Sequence, residues 1–381
     1  MRASRCAPPA RPLRGSGTSA SRAICAGVCV DSHRDGNAPI PVPQAAVGER
    51  LHAFGTQHPH GMLGGTRSLA LLITLLVGLC TTTAFAQEPA EPAASDDMPE
   101  MSLIDAAILG VVEGLTEYLP VSSTGHLLVV QNLLDIGVAD ERSKRAADAY
   151  AICIQAGAIV AVLGLYFRRV KQGFAGIAGR DPAGRRLVIN LLAGFLPAAI
   201  IGVSFNKMIK AYLFGPWPIV VAWFAGGLAI LIVTYHRRRA NMAPTTGRSL
   251  DELAWQAALL IGFAQCLAMW PGVSRSLITI VGGVVVGLSL PAAVEFSFLL
   301  GVITLGAATC YDALGSGSLM LEYYAPLTLA LGLVMAFVSA VVAIKWMVAY
   351  LQTHSMAIFG WYRIAIAIVV AALIVAGVIV V

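Results

Sequence analysis

Charge is scarce in this chain. Only 12% of its 381 residues are Asp, Glu, Lys or Arg, against 57% hydrophobic, and mean hydropathy is +0.75. A soluble domain carries about twice that share of charge, so a water-soluble globular fold is excluded. The net charge of +5 comes from arginine-rich loops and points to loop orientation rather than nucleic-acid binding. Usable cysteine is scarce as well. Of seven cysteines, Cys6, Cys25, Cys29 and Cys80 precede residue 87, and Cys153, Cys266 and Cys310 lie in apolar sequence. The last three read as small packing residues. They have neither metal-ligand spacing nor an obvious disulfide partner.

The first hundred residues lack the periodicity of a fold. Residues 1–61, rich in Arg, Pro, Gly and Ser, read as a disordered or mis-annotated extension. Their four histidines (His33, His52, His58, His60) are too scattered for a metal-binding tract. Residues 62–86 read as a signal peptide: Arg67 in the n-region, Leu69 to Cys80 as the apolar stretch, and Ala84-Phe85-Ala86 as the cleavage site. Residues 87–100 read as an acidic, Pro/Ala-rich disordered linker. A mature N-terminus outside the cytoplasm is expected.

What remains, 101–381, reads as an all-α polytopic membrane domain. Six apolar runs, about 149–167, 187–206, 217–235, 291–312, 325–350 and 360–380, are long enough to cross a bilayer. Arg168, Arg169, Lys171, Arg180, Arg185 and Arg186 follow the first run, and Arg237, Arg238, Arg239 and Arg248 follow the third. The positive-inside rule places both sets in the cytoplasm, in agreement with the exported N-terminus. Two further apolar segments, about 102–134 and 253–288, are broken by Pro120 and by Pro271-Gly272. Broken backbone survives at membrane depth only when buried in protein or lining a polar cavity, so each reads as a re-entrant helix pair. Each half (repeat one about 102–235, repeat two about 253–381) is then a re-entrant pair plus three spans. Three crossings is odd, so the expected architecture is an inverted repeat with the two tips meeting near the middle.

The two broken segments read as one motif written twice. Gly110, Glu113, Pro120, Ser122 and Ser123 are echoed about 150 residues later by Gly262, Gln265, Pro271, Ser274 and Ser276. Glu113 and Glu117 share a helix face. Two carboxylates so close in apolar surroundings share a proton, or together hold a cation or an arginine. After each proline the helix restarts at serines, which are good N-caps, so two helix N-termini would converge where an anion, above all a phosphate, is favoured. Arg275 adds a planar guanidinium fork for phosphate oxygens. His126 can move a proton or attack phosphorus. Ser122, Ser123, Ser274 and Ser276 can cap, bind phosphate or supply a nucleophile, and the sequence leaves the choice between His126, a serine and water open. Glu295 reads as a first-turn helix residue, and His236 and His354 as solvated.

At these residues the chain resembles the undecaprenyl-diphosphatase family, the bacterial bacitracin-resistance membrane phosphatases, over about 102–381. The resemblance rests on the Glu113/Glu117 pair, the Ser-Ser-Thr-Gly-His run at 122–126, Pro271-Gly272-Val-Ser274-Arg275-Ser276, and Glu-Phe-Ser-Phe-Leu-Leu at 295–300. Leu277 departs from the family's usual glycine, while Thr279 stands where a threonine is expected. The resemblance implies hydrolysis of undecaprenyl diphosphate to the monophosphate and inorganic phosphate, which recycles the carrier lipid of the cell wall, with the site open to the periplasm. It implies Glu113, Glu117, His126, Arg275 and Ser123 as catalytic residues. Ser122, Thr124, Ser274, Ser276, Thr279 and Gln265 would bind substrate, and a Mg²⁺ or Ca²⁺ ion would be held by Glu113 and Glu117. The expected partners are the polyprenyl diphosphate and the inner membrane, without nucleic acid, and a homodimer is the candidate assembly. The rival reading is a transporter or flippase of polyprenyl phosphate or another anion, because inverted repeats with broken helices also build carriers.

Overall fold

The computed structural model describes residues 101–213 and 215–379; the extension, signal peptide and linker expected over 1–100 lie outside them. No β-strand occurs among the described residues, only a single bridge between Arg248 and Leu288. Eleven α-helices follow one another among the described residues. They are α1 Leu103–Thr116, α2 Ser123–Leu133, α3 Glu141–Leu165, α4 Phe167–Ile177, α5 Pro182–Leu213, α6 Pro216–Arg239, α7 Trp255–Gln265, α8 Arg275–Val285, α9 Leu290–Tyr323, α10 Pro326–Thr353 and α11 Ala357–Val375.

Six of these (α3, α5, α6, α9, α10, α11) are long and apolar enough to cross a membrane, and they coincide with the six expected spans. Several run past the apolar limits, and side-chain caps start two of them, α3 at Asp140 and α9 at Ser289. Asp140 starts α3 by accepting the Arg142 and Ser143 amides at 2.9 and 2.6 Å. Ser102 starts α1 through a reciprocal box with Asp105. Prolines at the first or second helical position open α6, α9 and α10, where the missing N–H costs nothing.

The helix α4 was not expected. Its charges hid an amphipathic pattern, with Phe167, Phe174 and Ile177 on the exposed apolar side. Arg169 ties it down, donating to Glu295 at 2.7 Å and Asp251 at 3.0 Å. Glu295 therefore sits in the second turn of α9 as an ion-pair partner, a correction to its first-turn reading. His236 and His354 are exposed as expected.

The helices of the two halves interleave. α3 packs on α9 and α6 on α11, while α1 packs on α10 and α7 on α5. The last two pairings are made by the echoed glycines. A β-carbon at Gly110 would run into the Gly332 carbonyl of α10, and one at Gly262 into the Gly194 carbonyl of α5. Small residues let backbones approach where lipid supplies no hydrophobic drive. The broken helices are thereby held against full-length spans, and their tips meet inside a core that includes Tyr118, Val121, Phe296, Phe298 and Leu277.

Candidate active site

Both tips turn through strained serines. Ser122 has φ 74° and ψ 99°, and Ser274 has φ 76° and ψ 117°. A left-handed φ at a non-glycine residue costs about 1–3 kcal/mol and persists only where surroundings impose it. Ser274 caps α8 as expected, its Oγ accepting the Leu277 amide at 3.3 Å. Ser122 occupies the N-cap position of α2 but makes no side-chain cap bond, so of the roles left open for it capping is not the one seen.

The tips are joined by direct bonds. Arg275 donates through Nη2 to Glu117 Oε1 at 2.8 Å and through Nη1 to the Ser297 carbonyl at 3.1 Å. The pair is almost wholly out of solvent, with side chains 9% and 7% exposed. Its guanidinium also lies 5.4 Å from the Tyr118 ring centre, a cation–π distance. Gly301 makes the room, since a β-carbon there would overlap Nη1 of Arg275. Ser123 Oγ donates to Glu117 Oε2 in a short contact. Ser276 Oγ donates to the Leu119 carbonyl of the opposite tip at 2.8 Å and lies 3.0 Å from Ser274 Oγ. Thr279 is buried and bonds Ser297 Oγ at 2.6 Å. Thr124 is exposed.

Buried polar atoms of four residues, the Tyr118 hydroxyl among them, lack partners. Both carboxylate oxygens of Glu113 and both amide atoms of its echo Gln265 are buried without a hydrogen bond, as is Arg275 Nε. Orphaned polar groups in a dry interior cost about 1–3 kcal/mol each, more when charged, and mark where a polar ligand belongs. Among the described residues no three His, Cys, Asp or Glu side chains come together as a metal site.

His126 stands to one side of the cluster. Its Nδ1 meets the Ser122 carbonyl at 2.6 Å and its Nε2 the Tyr362 hydroxyl at 2.7 Å. Three residues of this neighbourhood had escaped the sequence reading. Arg363, fully buried, donates to the carbonyls of Gly272 (2.7 Å), Ala222 (3.0 Å), Pro120 (3.3 Å) and Trp223 (3.3 Å), so it stitches the two tips together. Trp223 donates Nε1 to the Val121 carbonyl at 2.9 Å. Tyr362 holds the histidine. The signal for Arg363 was present, because a lone arginine inside an apolar span is a functional hypothesis by default.

The arrangement is a buried acid–arginine pair with a hydroxyl aimed at the acid, beside further polar groups in want of a ligand. Comparison with known proteins places the chain in a family. The family model for bacitracin resistance protein BacA matches residues 106–369. The undecaprenyl-diphosphatase 2 of Rhodospirillum rubrum is 46% identical over 275 residues, covering 72% of this chain and 96% of that protein. The undecaprenyl-diphosphatase of Sorangium cellulosum is 46% identical over 271 residues (70% and 84%). That of Nitrosospira multiformis is 42% identical over 268 residues (70% and 93%). The match spans the whole helical region that builds the two tips, and the chain belongs to the bacitracin resistance protein BacA family.

Proposed function

We infer that the chain is an undecaprenyl-diphosphatase, a membrane hydrolase that converts undecaprenyl diphosphate to undecaprenyl phosphate and inorganic phosphate and so recycles the lipid carrier of cell-wall synthesis. The observation that carries this is the Arg275–Glu117–Ser123 chain, in which one carboxylate bridges a guanidinium and a hydroxyl across two helix tips.

The geometry favours a serine nucleophile. Ser123 Oγ attacks the terminal phosphorus as its proton passes to Glu117. The Oγ–P bond forms, the bridging P–O bond breaks, and undecaprenyl phosphate leaves. Water then attacks the phosphoserine, releasing inorganic phosphate and restoring the hydroxyl. Arg275 and the α2 and α8 N-termini neutralise charge that builds on the phosphoryl oxygens. Such positioning and electrostatics are the main contributions a protein makes to phosphoryl transfer. A divalent cation, when bound, would screen the diphosphate charge. Glu113 fits it best, its oxygens having no other partner, while Glu117 is already engaged on both oxygens. Two carboxylates are few for Mg²⁺ or Ca²⁺ on protein ligands alone, so the ion would be held jointly with the substrate phosphates.

The site opens to the periplasm in this reading, with the tips entering from opposite faces of the inner membrane and the two halves inverted. The support is the positive loops after α3 and α6 together with the echoed tips. The carrier alternative has no support in the relatives or in the site, where a hydroxyl rests on a carboxylate.

The test is phosphate release by purified protein in detergent supplied with undecaprenyl diphosphate and divalent cation. Turnover without any gradient, lost in Arg275→Ala and Ser123→Ala, is expected. Full activity of Arg275→Ala would overturn the assignment. A covalent phosphate on Ser123, trapped by acid quench and found by mass spectrometry, is expected during turnover.

A further inference from the structure

Three consecutive carbonyls of the first tip are each held by a side-chain donor. Arg363 takes Pro120, Trp223 takes Val121, and His126 takes Ser122. A carbonyl only accepts, so His126 Nδ1 must carry a hydrogen. In the neutral ring Nε2 then keeps its lone pair, and the Tyr362 hydroxyl donates to it. The two rings lie parallel within 8° at 5.7 Å, and Trp223 packs edge-on to the imidazole at 5.1 Å. Both ring nitrogens are thus engaged away from Glu117 and Arg275.

The second tip holds its strained serine differently. Its strained serine, Ser274, caps its own helix, and the residue four further on is Ile278. The first tip has no such cap, and the residue four after Ser122 is His126. Ser122 sits next to Ser123, the hydroxyl resting on Glu117, so the direction of the Ser122 carbonyl sets the aim of that hydroxyl.

We propose that Tyr362 and His126 form a positioning relay: Tyr362 fixes the imidazole, and the imidazole holds the strained Ser122 carbonyl so that Ser123 faces Glu117. His126 then neither attacks phosphorus nor takes a proton in the reaction. The proposal rests on the site reading above in treating Ser123, Glu117 and Arg275 as the reacting cluster.

Asparagine separates the two roles, because its amide N–H reaches where Nδ1–H does but cannot serve as nucleophile or base. His126→Asn should keep at least about a tenth of wild-type kcat, the loss of one hydrogen bond's worth of alignment. His126→Ala should lose about a hundredfold, with KM little changed in both. Tyr362→Phe should cost about three- to tenfold in kcat and nothing further in the His126→Asn background. An asparagine variant as inactive as the alanine one, with unchanged melting temperature, would overturn the proposal. So would a Tyr362→Phe enzyme faster than wild type, since freeing Nε2 would then help. If the alanine variant does not fold, the ¹⁵N-histidine NMR spectrum of the wild-type protein decides. A protonated Nδ1 with unprotonated Nε2 at His126 supports the relay, and the opposite tautomer refutes it. That measurement needs no turnover, so it stands apart from any failure of the phosphatase reading.

Discussion

Single atoms decide whether this site is assembled. Arg275 fits only because position 301 has no side chain, and Gly301→Ala should push the guanidinium off Glu117. Displacements near 1 Å cost about a hundredfold in rate, so phosphate release should fall steeply while helix content stays unchanged. Arg363 has a different burden, binding four carbonyls with no carboxylate among its hydrogen-bond partners. Arg363→Met leaves those carbonyls without their donor in a dry core. It should lower stability by on the order of 3 kcal/mol, seen as a drop in melting temperature in detergent along with lost turnover. Glu113, Glu117, Ser123 and Arg275 were legible in the sequence because polar residues beside proline breaks stand out in apolar surroundings. Arg363 and Tyr362 were not assigned: the arginine stands out in its apolar span, but its carbonyl partners lie 91 or more residues away and the ring that Tyr362 holds lies 236 away, so no local pattern encodes what either one binds.

At the level of helices, caps and breaks were readable, and charge-dense amphipathic segments were not. The six spans follow from length and hydropathy alone, whereas α4 looked like a loop because its arginines outweigh a sparse apolar stripe. Position within a helix was also hard to read. Ser122 has the residue type of a cap and nearly the same φ as Ser274, yet only Ser274 makes a side-chain cap bond. The cap at Asp140 carries a pH signature. The Ser143 amide bonded to its carboxylate, helped by that of Arg142, holds Asp140 below the ordinary carboxylate range. A group depressed in the folded state stabilises the fold above its unfolded pKa, and that stability is lost as pH falls through the folded value. Melting temperature should therefore drop on acidification through the carboxylate range, and Asp140→Asn, which still caps, should flatten that part of the profile. An unchanged slope in the asparagine variant would assign the acid sensitivity to other groups.

Over the whole molecule the first and second parts of the chain exchange contacts. Each broken helix leans on a span from the other half, α1 on α10 and α7 on α5, through glycines at matching motif positions. If the halves are inverted as proposed, cysteines placed at Asp140 and at Arg239 lie on opposite faces. An impermeant thiol reagent added to spheroplasts should then label the first and spare the second; the reverse pattern would invert the assigned orientation. The bonds between the tips carry a further consequence. Arg363 to Pro120 and Gly272, Ser276 to Leu119 and Arg275 to Glu117 all cross the same seam, and buried as they are none is readily traded for a solvent partner. A protein sewn shut along its midline has no inexpensive way to rock its halves past one another. The lipid must bring its head group to tips that stay in place and withdraw by the same route, so turnover should be set by how quickly a long tail diffuses in and out rather than by motion of the scaffold.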